Sequence, residues 1–350
     1  MKVAIITDQH FGCRKNSKLF HDYFLKFYED IFFPTLEKEG ITTVVDMGDT
    51  FDSRKGIDFC ALTWAKRKYF DRLNDMGITD HTIVGNHTAY YKNTNQINAV
   101  DLLLREYDNV SIYSEPTEIK LDNLNVLMIP WINPENEKET LYSLNSSKSP
   151  CVMGHLELQG FKVNEYVVMD HGLDYTPFEK FERVYSGHFH TRSNRGNIYY
   201  LGNPYEIYWN DHADTRGFHL FDTETLEHTP INNPYRLFYK IYYDDTPHQT
   251  FDAREYEDKI VKVIVRKKSD LTQFEKFIDK LYSVNVAELK IVENFDFGGW
   301  YDKDDSANEF ESEDTLSILN RYIEDAEISL DKSVVRKMVD EIYQEACELV

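Results

Sequence analysis

Five short apolar runs in this chain end in the same way, and no other feature narrows its fold as much. "VAIITDQH" delivers Asp8 and His10, and "TTVVDMGDTFD" delivers Asp49, with Gly48 just before it and Asp52 after it. "TIVGNH" delivers Asn86 and His87, "CVMGH" delivers His155, and "VYSGHFH" delivers His188 and His190. Each is a β-rich run, usually a glycine, and then a side chain able to bind metal. A lone GNH is an ordinary strand-ending turn, because Gly and Asn form turns and His is tolerated in them. Five such endings ask for strands whose carboxyl ends meet, since sites in open α/β sheets form outside those ends. The alternate histidines of GHFH point the same way if their segment is extended.

The rest of the chain supplies the scaffold this requires. Up to about residue 228, β-rich runs alternate with helical stretches near 18–38, 58–76 and 95–106, the signature of layered α/β architecture. Hairpin-spaced strands late in this region predict mixed rather than purely parallel sheets. "INNPYRLF" breaks regular structure, so the first domain is read as 1–230. A strand "KIVKVIVRKK" and a helix "LTQFEKFIDKLYSV" then predict a small α+β domain over 231–295. Residues 296–314 are acidic with little periodicity and read as a linker. Over 315–350 two short amphipathic helices are expected, with Val335, Met338, Val339, Ile342, Tyr343 and Ala346 at helical spacing. Such a pair on an acidic tether suits docking to another protein.

Composition excludes several classes. With 24 Tyr and 22 Phe in 350 residues the chain is expected to pack rather than stay disordered. Four scattered cysteines without a CxxC pair argue for a reducing compartment and against a thiolate zinc site. No run approaches a membrane span, and "MKVAIITDQH" is too short in apolar residues for a signal segment. A soluble cytoplasmic protein is expected. Of the net charge of −22, half lies in the last 55 residues, which carry 5 basic and 16 acidic side chains. That balance argues against a free-standing DNA-coating protein, but not against a nuclease whose metal ions supply local positive charge.

Two carboxylates, four imidazoles and one amide make seven candidate ligands besides His87. Without cysteine the set suits Mn²⁺, Fe²⁺ or Zn²⁺. Seven is too many for one ion and enough for two if a carboxylate bridges, at a spacing of roughly 3.5–4 Å.

The order DxH, GDxFD, GNH, GH, GHxH resembles the calcineurin-like metallophosphoesterases. Within them the chain resembles the SbcD-type nuclease subunits of DNA repair, recombination and replication, and among these the tailed-phage recombination endonuclease subunits. The motifs span residues 8 to 190. The resemblance implies an α/β sandwich of two mixed sheets flanked by helices, a centre of two Mn²⁺ ions, a capping domain over DNA, and a homodimer formed through helices. It also implies that the C-terminal helices dock an ABC-type ATPase of the SbcC kind. Carried over, Asp8, His10 and His190 hold one ion, Asn86, His155 and His188 the other, and Asp49 bridges. His87 faces the scissile phosphate. Arg14, Lys15 and Lys18 are candidate DNA contacts, as are Arg266, Lys267 and Lys268 in the cap.

One position departs from the family's pattern: Thr88 stands where an acidic residue usually follows GNH. A hydroxyl can hold the histidine ring without stabilising an imidazolium, so weaker intrinsic activity with intact metal binding is expected. Glu157 and Asp52 are the candidates to supply the missing carboxylate. No GxxxxGK[ST] occurs, so ATP hydrolysis would fall to a partner. Two other readings stay open: a phosphatase on the same fold, and a weakly catalytic scaffold for DNA ends.

Overall fold

The β-branched runs become the inner strands of two six-stranded sheets. In the first, the order is His228–Asn232, Gly217–Asp222, Lys2–Ile6, Thr43–Asp46, Thr79–Ile83 and Val110–Tyr113. The last four run parallel, and the other two join antiparallel. The second runs Ser193–Arg195, Ile198–Tyr200, Arg183–Gly187, Cys151–His155, Leu124–Ile129 and Thr117–Leu121, with the middle four parallel. The sheets are therefore mixed, as the hairpin spacing predicted. Val3, Ile5, Val45 and Ile83 of the first sheet share one buried cluster with Val126, Met128, Met153 and Tyr185 of the second. That cluster fills the space between the sheets. The inner strands are buried on both faces, which is why they read as continuous apolar runs.

The computed structural model describes residues 1–164, 167–268 and 270–293, and the single helical positions Ile323, Lys332 and Val335. Those three positions apart, the acidic segment 296–314 and the helices expected over 315–350 lie outside the described residues. No helix among the described residues is long and apolar enough to cross a membrane.

Helices cover the outer faces. The first is helical from Lys18 to Glu39, with a π-turn over Tyr28–Phe32. Pro34 sits at the start of the segment that follows; it cannot donate the usual bond, and a widened turn accommodates the loss. Gly40, at φ 63°, ends the helix in the left-handed conformation. The stretch expected as helix from 95 differs. Thr94–Asn98 pairs with Ala89–Tyr91 as a hairpin, and the helix runs only over Ala99–Leu104. Asn98 explains the late start, because its side chain accepts from the Asp101 N–H at 2.8 Å as an N-cap.

The small domain is a three-stranded parallel sheet, Phe238–Tyr242, Ile260–Val265 and Glu288–Glu293. Phe274, Phe277, Ile278 and Leu281 of helix Leu271–Ser283 pack with Val261 and Val263 in its core. The last strand of the sandwich runs on to Asn232. Glu206 ties the two parts together, its carboxylate accepting from the Leu237 and Phe238 N–H groups at 2.7 and 2.9 Å.

Phe24 lies on the buried side of the first helix and stacks on Tyr205 with ring centroids 3.6 Å apart. Phe24→Ala is predicted to lower the unfolding free energy by about 3–5 kcal/mol, measured by urea titration.

Candidate metal centre

The carboxyl ends of the five motif-bearing strands meet at one edge of the sandwich. The Asp8 carboxylate accepts from the His188 N–H at 3.0 Å, and Asp49 Oδ1 accepts from the His87 N–H at 2.7 Å. Asn86 Oδ1 lies 2.9 Å from both His155 Nε2 and His188 Nδ1. Asp49 Oδ2 lies 3.2 Å from His155 Nε2, and the Nε2 atoms of His10 and His190 are 3.2 Å apart. All seven expected ligands and His87 thus belong to one contiguous cluster.

Unusual backbone brings them there. Asp8, His10, Asp49 and His188 have φ of 53°, 47°, 53° and 84°, a left-handed conformation costing of order 1–3 kcal/mol each outside glycine. The GHFH segment is therefore not extended: its strand ends at Gly187, and the turn sends His188 to Asn86 and His190 to His10. Gly85 is required for space. A Cβ there would lie 2.2 Å from Asp49 Oδ1 and 2.4 Å from the Asp49 nitrogen.

The far side of each candidate ligand ring is also held. His155 Nδ1 is 2.8 Å from the Met47 carbonyl, which can only accept, so this nitrogen carries a proton. His10 Nδ1 is 3.1 Å from Asp52 Oδ1, His188 Nε2 is 3.5 Å from Glu157, and His190 Nδ1 is 3.4 Å from Asp211. Asn203 also reaches His190 Nδ1 at 3.2 Å. Arg216 braces this corner, donating to the His190 carbonyl and to Asn203 Oδ1. The acceptors among them, the Met47 carbonyl and the Asp52, Glu157 and Asp211 carboxylates, orient a metal-binding imidazole and raise its basicity, whereas the Asn203 amide nitrogen can only donate.

The inward-facing atoms of this cluster fit a pair of cations. His155 Nε2 meets two oxygens while its other nitrogen is already donating, so a proton or a metal ion must sit at Nε2. The donor spacings of 2.9–3.2 Å match the edges of about 3 Å between adjacent ligands on an ion with bonds near 2.1 Å. Three close groups have metal-binding character: Asp8 with His10 and His190, Asp49 with His155 and His188, and His10 with Asp52 and His87. Burial opposes charge on His10 and His155, but Asp52 beside the first and Asp49 beside the second outweigh it and lift both to about 9. Asp49 is held well below the carboxylate range, since the attraction of His155 and His87 outweighs its burial.

His87 differs from the others. Its Nδ1 is 2.7 Å from the backbone carbonyl of Asp52, so Nδ1 donates and Nε2 is left for a ligand. Burial lowers its pKa. Thr88 does not hold this ring. Its hydroxyl accepts from the Gly85 N–H and donates to the Gly85 carbonyl, both at 3.0 Å, closing the turn in a fully buried position. Glu157 faces His188, whereas the Asp52 carboxylate pairs with His10 at 3.1 Å and also lies within 4.8 Å of a His87 nitrogen, where its charge works against the burial that lowers that ring's pKa.

The candidate DNA contacts are divided. Lys15 and Lys18 are exposed close after His10, while Arg14 Nε donates to the Ile207 carbonyl at 3.1 Å. In the small domain, the backbone N–H groups of Arg266 and Lys267 donate to Asp244, and the Lys268 ammonium lies over the Phe274 ring. Sequence reasoning missed Asp211, Asn203 and Arg216 altogether. They follow the last motif in a stretch with no pattern of its own, and only the fold carries them to His190.

No family model matches the chain. Over 315 residues, 89% of this chain and 90% of the relative, it is 34% identical to exonuclease subunit 1 of Enterobacteria phage T4. The chain belongs to that family. These are the SbcD-type nuclease subunits of the calcineurin-like metallophosphoesterases, metal-dependent phosphodiesterases. Similar solved structures include an archaeal phosphodiesterase (14% identity, 67% of this chain and 100% of that chain, TM-score 0.35). A dimetal phosphatase from Danio rerio (11%, 63% and 91%, TM-score 0.38) and Pseudomonas putida nuclease MPE (14%, 65% and 87%, TM-score 0.30) are others. At such scores the fold rests on the two sheets themselves and on the family.

Two predictions follow from the geometry of this family member. Asp52→Ala frees the His10 ring but keeps the carbonyl that holds His87, so divalent-metal affinity should fall about 10–100-fold in calorimetric titration. Without metal, His10 and His155 stay protonated up to about pH 9. Ion binding must displace those protons, so affinity should climb from pH 7 to 9 and flatten above. Titration in buffers of different ionisation enthalpy reads the protons released.

Proposed function

We propose that this chain is the nuclease subunit of a DNA repair and recombination complex and hydrolyses DNA phosphodiester bonds with two divalent ions, Mn²⁺ being the expected pair. The observation that carries this reading is a run of close contacts, with Asn86 Oδ1 2.9 Å from both His188 Nδ1 and His155 Nε2, and His155 Nε2 3.2 Å from Asp49 Oδ2. Asp8, His10 and His190 would hold the first ion and Asn86, His155 and His188 the second, with Asp49 between them. Bound there, the ions would lower the pKa of a water toward neutrality and clamp the phosphate for in-line attack. Nitrogen and oxygen donors without thiolate suit manganese.

The chain's own residues set the rest. His87 keeps its proton on Nδ1, so Nε2 meets the substrate. An anionic phosphate there favours the imidazolium, which stabilises charge in the pentacoordinate state and can protonate the leaving oxygen. Thr88, whose hydroxyl is committed to Gly85, brings no charge to this ring, and the nearby Asp52 carboxylate is shared with His10, which supports the reading of weak intrinsic activity. Lys15 and Lys18 sit close to the ligands in sequence and are the better placed of the DNA-contact candidates. The cap over 231–295 would lie against DNA, with Arg266, Lys267 and Lys268 on that side.

The T4 relative is named as a subunit. By the same reading this chain works with an SbcC-like ABC-type ATPase, docked through the helices of 315–350. Phe59 and Leu102, 86% and 62% exposed on helices of the sandwich, support a homodimer through those helices.

Incubation with Mn²⁺ and labelled linear DNA, beside a small phosphomonoester, tests the proposal. Wild type should cut the DNA and Asp49→Ala should not. His87→Asn should lose at least 100-fold in turnover while still binding two ions. Hydrolysis of the monoester alone would make the chain a phosphatase, and two bound ions without any cleavage would make it a scaffold.

A further inference from the structure

Gln9 lies between two ligand candidates, yet its side chain runs the other way, into the core, and is fully buried. Its Nε2 donates to Asp46 Oδ2 at 2.8 Å, and its Oε1 accepts from the Tyr28 hydroxyl at 2.5 Å. The Gln9 carbonyl accepts from the Tyr205 hydroxyl at 2.7 Å. Asp46, also fully buried, holds the neighbouring turn: its Oδ1 accepts from the Gly48 N–H at 3.1 Å and its Oδ2 from the Thr50 hydroxyl at 2.6 Å. Gly48 and Thr50 flank Asp49. One carboxylate therefore grips the turn that presents the bridging aspartate, and through Gln9 it grips the turn that presents Asp8 and His10.

The two turns are also laced by backbone bonds, from Asp8 N–H to the Gly48 carbonyl and from His10 N–H to the Asp49 carbonyl, both 2.9 Å. Three of the left-handed residues, Asp8, His10 and Asp49, lie in these turns. Strained backbone persists only where its surroundings over-determine it. Metal ions would pull on the outer side of both turns, and the Gln9–Asp46 pair is the tie on the inner side. Burying a carboxylate is costly without such partners, and an apolar pair would fill the same space with less penalty. The cost is offset if the pair sets geometry.

We infer that Gln9 and Asp46 are positioning residues that fix the distance between the Asp8–His10 turn and Asp49, and so the spacing of the two ions. They touch neither ion nor substrate. The inference rests on the two-ion reading above and deepens it.

Mn²⁺ titration of the full chain, followed by calorimetry and by electron paramagnetic resonance, separates the two. Wild type should bind two ions and show the exchange-coupled spectrum of a close pair. Gln9→Ala should bind one ion with little change and the second at least 10-fold more weakly, with the coupled spectrum lost. Metal-free Gln9→Ala should melt within a few degrees of wild type. Gln9→Glu combined with Asp46→Asn reverses the donor and restores the bond, and should recover the coupled spectrum. If Gln9→Ala keeps both ions and the coupling, the inference fails. It fails equally if the variant simply melts early and the swapped pair rescues nothing, since Gln9 then only fills the core. A wild type that binds a single ion removes the two-ion reading itself, and the tie with it.

Discussion

The structure depends on a convergence of nitrogen and oxygen electron pairs that needs protons or metal ions between them. At His155 Nε2 two oxygens approach within 3.2 Å while the opposite ring nitrogen is already committed to a carbonyl. His10 and His190 set ring nitrogens face to face. Such a pocket cannot stay both buried and bare, because like partial charges in a low-dielectric site repel strongly. Protons can fill it, which is what the raised imidazoles of His10 and His155 express, and metal ions can fill it in their place. A hydrolytic centre uses this stored demand for positive charge.

Holding the electron pairs together requires compensation elsewhere. Four site residues adopt left-handed backbone, and Gly85 must lack a side chain for Asp49 to fit. Behind them stands an outer ring of acceptors: Asp52, Glu157, Asp211 and the Met47 carbonyl, each aimed at a ring nitrogen that faces away from the centre. Beneath them the two six-stranded sheets share an apolar core, and the aromatic side of the first helix reaches in through Tyr28 to Gln9. Packing, strain and ligation are thus one connected problem in this family member. The junction with the small domain is gripped in a similar way, by the buried Glu206 carboxylate on two backbone N–H groups.

Which side chains could bind metal was legible in the sequence, because each follows a β-rich run that announces a strand end. The alternation of sheet and helix was legible for the same reason, and so was the mixed character of the sheets. Thr94–Asn98 was not, since its polar residues carry no period and the capping role of Asn98 appears only once the turn is built. Thr88 shows a different failure. Its place next to His87 suggested contact with that ring, whereas the turn folds its hydroxyl back onto Gly85. Neighbours in sequence point apart at a turn, so adjacency misleads there.

The sequence by itself determined the kinds of donor atom, their order and the strands that carry them, because hydrophobic periodicity and turn chemistry are local properties of a chain. Only the tertiary structure decided which donors face one another, which nitrogen of each ring turns inward, and that Asp211 and Gln9 take part. Those outcomes depend on two sheets packing so that strand ends nearly two hundred residues apart share an edge, and no local pattern encodes that meeting.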